Sequence, residues 1–112
     1  MSFEIIPYEH FAQVEMRVGR IIAVEPFPRA RKPAWRLTID FGDLGTRRSS
    51  AQITHYPVEA LLQRLVVCVV NFAPRNIAGF ASEVLVLGAT DAHGEVKLLQ
   101  PDEGAALGSL IH

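Results

Sequence analysis

The chain has 112 residues, is 49% hydrophobic and 21% charged, and carries a formal net charge of -1. This is the size and composition of one globular domain, covering residues 1–112, and it excludes a disordered chain. The single cysteine, Cys68, excludes an internal disulfide and suits a reducing cytoplasm. The start of the chain has no basic leader, and the apolar run from Leu65 to Val70 is too short for a bilayer, so neither a signal peptide nor membrane insertion is expected.

Residues 7–13 read as a short helix with Pro7 in its first turn. From Val14 the pattern becomes a strand: Val14, Met16, Val18, Ile22 and Val24 share one parity, and Gly19 marks a bulge or bend. A loop from Glu25 to Pro33 is stiffened by three prolines. The second strand is the clearest, with Trp35, Leu37, Ile39 and Phe41 alternating against Arg36, Thr38 and Asp40. Gly42–Gly45 turns the chain into a third strand, "TRRSSAQIT", which is polar almost throughout.

Pro57 opens the one strong helical pattern, in which Val58, Leu61, Leu62 and Leu65 form a single stripe. "VVCVVNF" and "SEVLVLG" follow as strands that are apolar on both parities, separated by a loop at 73–80. His93-Gly94 is a turn before a last short strand, "EVKLL". Three strands, a helix and two more strands make an all-β OB-fold. It is a five-stranded barrel with the helix between strands three and four, a short N-terminal helix and an extra C-terminal strand. A small barrel has one interior, so the apolar second face of the late strands calls for a cover, and a homodimer is expected.

The near-neutral total hides an uneven distribution. Between Arg17 and Arg75 there are ten basic residues against four acids, a net of +6, and both flanks are acidic. Catalytic motifs are missing. Gly42 and Gly45 make no phosphate loop, and the four histidines lack metal-ligand spacing. Cys68 sits inside an apolar strand and reads as inert, and Ser49 and Ser50 lack the setting of a nucleophile. No enzyme, cofactor or metal is expected.

Basic residues beside polar strand residues are instead the ingredients of a nucleic-acid face. The first loop supplies Arg29, Arg31 and Lys32, and the third strand supplies Arg47, Arg48, Ser49, Ser50 and Gln52. In an OB-fold these segments meet on one surface. Trp35 reads as core from its parity, while Phe27, between two prolines, is the exposed aromatic candidate. Phe27, Ile77 and Phe80 form a candidate apolar rim for peptide, with Phe80 equally readable as core.

Three blocks carry a family resemblance: "RVGRIIAVEPFPRARKPAWRLTIDFG", "RRSSAQIT" and "NFAPRNIAGFASEVLVLG". They resemble the secretion chaperones of the CsaA type. More broadly they resemble the tRNA-binding domain found free or appended to methionyl- and phenylalanyl-tRNA synthetases. The resemblance implies an OB-fold and a non-enzymatic homodimer in the cytoplasm that binds unfolded preproteins and the translocation motor SecA. The wider family adds tRNA as a ligand. It also implies ligand contacts at Lys32, at Ser49, Ser50 and Gln52, at Asn71 and Arg75, and at Ser82 followed by Glu83. The segment from Phe27 to Pro33 and the pair Glu83-Val84 depart from the synthetase pattern and follow the CsaA branch. The expected function is therefore an export chaperone of the CsaA type, and the alternative is a tRNA-binding module acting in trans with translation enzymes.

Overall fold

The computed structural model describes residues 2–112. Helix α1 spans Tyr8–Gln13 behind Pro7, whose carbonyl accepts from His10 N, and none of its residues is buried. Strand β1, Met16–Pro26, is the long element around which the barrel is built. It pairs antiparallel with β2 (Trp35–Asp40) over its second half and with β4 (Leu65–Val69) over its first. β3 (Thr46–Ala51) adds to β2, and β7 (Leu85–Val86) adds to β4, giving the order β3-β2-β1-β4-β7. Two hairpins complete the molecule: β5 (Arg75–Ile77) with β6 (Phe80–Ser82), and β8 (Gly88–Thr90) with β9 (Val96–Leu98). The result is the small all-β OB barrel that the strand pattern predicts.

The long strand bends where one residue is extra. The β1–β2 register shifts between Ile21 and Ala23, which turns Ile22 out to 40% exposure and puts Ile21 in the core. The bulge is thus at Ile22, not at Gly19, and it is why a single parity fails along this strand. Gly19 serves packing instead. A Cβ there would sit 2.5 Å from Ile39 Cγ2 and 2.8 Å from Phe41 Cε1, so its absence lets the Phe41 ring lie against β1. Ile21, Leu37, Ile39, Phe41, Leu61, Val66 and Cys68 form the barrel core.

The helix after β3 is shorter than its stripe implies. α2 covers only Val58–Leu61. Past it, Gln63 N donates to Ile21 O at 2.8 Å and Ile21 N donates to Arg64 O at 3.0 Å. These bonds to the bulged part of β1 take the chain out of the helix, with Gln63 at φ 70, and Leu65 is buried in β4 rather than on a helical face. β4 is itself buried at all five positions within one chain. The apolar double face of this strand is therefore already covered without a second copy.

The barrel closes between β3 and residues 82–84 by one main-chain bond and three bonds in which a side chain takes the place of a ladder partner. Glu83 N donates to Arg48 O at 2.8 Å, and Arg48 N donates to Glu83 Oε1 at 2.9 Å. Ser50 N donates to Ser82 Oγ at 3.0 Å, and Ser49 Oγ donates to Val84 O at 2.8 Å. Among the described residues no helix is long and apolar enough to cross a membrane.

Candidate nucleic-acid interface

Two loops rise over the outer face of β2 and β3: the first loop, residues 27–34, and the β5–β6 hairpin. The hairpin turns at Ala78 (φ 49) and Gly79 (φ 85), the two positive-φ positions of a type I′ turn, and Asn76 Oδ1 accepts from Gly79 N at 2.9 Å. The expected loop here is a hairpin. Its turn signal is half hidden, because Ala78 occupies a conformation that glycine or asparagine usually announces.

The loops meet through their aromatic residues. The rings of Phe27 and Phe80 lie 5.4 Å apart and edge to face. With Ala34 they form a small second core, flanked by Ala30 and Ile77. Phe27 is 7% exposed and Phe80 8%. The expectation of an exposed Phe27 is therefore corrected. Its partner lies 53 positions away, and the pair buries two rings that neither loop could bury alone. Trp35 is half-buried against the barrel core and donates from Nε1 to Tyr56 O at 3.0 Å.

This aromatic wall divides the outer face into two clefts. The main cleft, about 870 Å³, is lined by Arg31 and Lys32 from the first loop, Ser50 of β3 and Gln52 just past its end, and Arg75, Asn76 and Ile77 from the hairpin. No acid and no aromatic ring lines it among the described residues. The second cleft, about 460 Å³, contains Phe27, Pro28, Arg29, Arg36, Arg48 and Phe80. A third, about 250 Å³, continues from the main cleft across Ser50 and Gln52 and is otherwise aliphatic, with Ile53, Leu85, Val86, Val96 and Leu98.

The remaining expected site residues stand elsewhere or are spent on structure. Ser49 is 1% exposed and is engaged with Val84 O, so it cannot face a ligand. Ser82 and Glu83 cap the edge of β3 as described. Asn71 clamps the entry to β1, accepting from Glu15 N and donating to Gln13 O. Arg47 folds back on the carbonyls of Thr46 and Leu44 and lines none of the three clefts. Arg36 and Asn76 are cleft residues absent from the sequence expectation. Arg36 was hidden as the polar partner in an alternating strand, and only the strand register shows that it faces the loops.

Charge is distributed unevenly over these places. Arg17, Arg20, Arg48 and Lys97 are in ion pairs, and Arg36, Arg47 and Arg64 donate to backbone carbonyls. Arg29, Arg31, Lys32 and Arg75 have no hydrogen-bond or ion-pair partner among the described residues, and all four border the two loop clefts. No cluster that could hold a metal ion occurs among the described residues. Burial pushes the Cys68 thiol up to about 12, which keeps it protonated and unreactive.

A five-stranded barrel with a basic cleft between its first loop and its late hairpin makes this an OB-fold domain. Residues 16–110 match the family described as a tRNA binding domain, and the chain belongs to that family. Two solved structures are similar over nearly the whole chain. The CsaA chaperone protein from Picrophilus torridus has a TM-score of 0.91 and 49% identity, covering 96% of this chain and 100% of that one. The chaperone CsaA from Bacillus anthracis has a TM-score of 0.90 and 46% identity, covering 97% and 100%. Among curated relatives, the methionine–tRNA ligase of Porphyromonas gingivalis strain W83 is 34% identical over 108 residues, which is 96% of this chain and 16% of the ligase. The chain thus spans about a sixth of the length of the curated relatives it matches.

Proposed function

We propose that this chain is a non-enzymatic, homodimeric binding protein of the CsaA type whose main cleft holds RNA, tRNA first, by its phosphates. The observation that carries this reading is the placing of unpaired cations. Four of the eleven basic side chains lack a partner among the described residues, and three of these, Arg31, Lys32 and Arg75, converge on a cleft without an acid. Such a surface favours phosphate and carries no sequence preference of its own. The missing aromatic ring argues the same way, because single-strand readers stack bases on exposed rings. Membership in the tRNA-binding family supports it.

The second reading is the export chaperone, which binds unfolded preproteins and SecA in the cytoplasm. It is favoured by the likeness to CsaA chaperones and by the third cleft, whose aliphatic lining adjoins the polar main cleft. The rings of Phe27 and Phe80 offer it no rim, since both are covered. The dimer is supported by Leu85 of β7, which stays 47% exposed, and by the N-terminal segment, where Phe3, Ile5, Ile6 and Tyr8 are 83%, 94%, 57% and 70% exposed, more apolar area than a small monomer leaves uncovered without use.

Titration of tRNA at increasing salt tests the RNA reading. Three phosphate contacts give a slope of about -2 to -3 in log K against log salt, a loss of about 20- to 40-fold for a fourfold rise in salt. Binding that ignores salt, together with salt-resistant capture of an unfolded preprotein, refutes it in favour of the chaperone.

A further inference from the structure

The arginines of the second cleft have no part in the main cleft. Strand register brings two of them together: Arg36 lies opposite Ser50, and Arg48 is two residues along β3 on the same face of the sheet. Each guanidinium is held against a ring of the aromatic wall, Arg36 at 5.5 Å from the centre of Phe27 and Arg48 at 4.7 Å from the centre of Phe80. Packing therefore sets the position of both heads. Arg29 enters from the loop above. At the margin of the cleft, Glu25 Oε1 accepts from Arg48 Nη2 at 2.8 Å, with both side chains partly exposed to solvent.

Arg48 is thus occupied by a carboxylate of its own chain, in an exposed pair of modest strength. A phosphate offers a guanidinium the same two-oxygen edge as a carboxylate. The geometry points to the second cleft as a further phosphodiester seat, in which Glu25 is the internal competitor that an RNA phosphate displaces from Arg48. This rests on the RNA reading of the main cleft. The two clefts share Ala78 and abut at the Arg36–Ser50 pair, so a strand leaving the main cleft over the aromatic wall enters the second. Glu25 makes the seat selective. A free anion must displace it from solution, whereas a phosphate on a strand already anchored in the main cleft arrives at high effective concentration.

The test is a cycle of Glu25→Gln, Arg48→Gln and the double variant in the full chain, read by tRNA binding at low salt, with melting curves to confirm folding. Glu25→Gln is expected to tighten binding about two- to fivefold, the factor an exposed ion pair is worth. That gain is expected to vanish in the Arg48→Gln background. No gain, or a gain that survives without Arg48 and so reflects net charge alone, overturns the proposal. A readout free of variants is the guanidinium Nη–Hη signal of Arg48, whose Nη2 exchanges carboxylate for phosphate; an unchanged signal at saturating tRNA also overturns the proposal. Lys32→Ala with Arg75→Ala, run alongside, separates the two readings. Parent-like tRNA binding by that variant refutes the main cleft, while the Glu25–Arg48 cycle still reports on the second. A parent chain that binds no tRNA refutes both.

Discussion

Replacing Phe27 with alanine removes one half of the wall between the two clefts. The ring is buried against Phe80, with Ala34 beneath it and the Arg36 guanidinium over its face. A buried Phe→Ala change costs about 3–5 kcal/mol. The second core has only three buried members and borders a cleft on either side, so the low end, about 3 kcal/mol, applies. With an unfolding entropy of about 2.1 cal/mol/K per residue, that lowers Tm by about 13 °C. About 0.5–1.5 kcal/mol of the loss belongs to the ring pair itself and reappears as coupling in a double-mutant cycle with Phe80→Ala. Thermal and urea unfolding monitored by circular dichroism measure both quantities. A Tm within about 4 °C of the parent, or additive single changes, would show that the rings do not pack together in solution.

Ser49→Ala leaves the Val84 carbonyl without its donor at a position 1% exposed, and is expected to cost about 1–3 kcal/mol in urea unfolding without changing RNA affinity at matched folding. Cys68 makes stability depend on alkaline pH. Its native thiol, pushed up to about 12, stays protonated where the unfolded thiol ionises. Unfolding above about pH 9 therefore releases a proton, and stability falls by up to about 1.4 kcal/mol per pH unit until the native thiol also titrates. The difference between parent and Cys68→Ala isolates this slope, and alkylation of the native protein at pH 8 is expected to be slow. Sedimentation at micromolar concentration is expected to show a dimer. Truncation before Tyr8 is expected to release monomer, and a parent that sediments as a monomer refutes the dimer.

Much of the barrel was legible, because it follows from local alternation. Leu37 and Ile39 are inward and Arg36 and Thr38 outward in β2, as the pattern requires. Alternation fails where a tertiary contact adds or removes a residue: the bulge at Ile22, and α2 cut short by the Gln63 and Arg64 bonds to Ile21. The candidate site was legible as charge and not as geometry. Lys32, Gln52 and Arg75 reach the main cleft, but Ser49, Ser82, Glu83 and Asn71 do not. Each of those four makes a side-chain bond to backbone 32 to 58 residues away, and residue type cannot distinguish a polar side chain that closes a barrel from one that waits for a ligand. Phe27 illustrates the same limit, since prolines on either side describe its backbone and not the ring of Phe80 across the gap.

The slope of log K against log salt for tRNA, compared between the parent and Arg31→Ala with Lys32→Ala and Arg75→Ala, tests the central claim most directly. All three side chains are exposed and unpaired among the described residues, so the triple variant is expected to melt with the parent. Three phosphate contacts removed flatten the slope by about two to nearly three units, and affinity at low salt falls with it. An unchanged slope in a folded triple variant would place the RNA outside the main cleft and contradict the account.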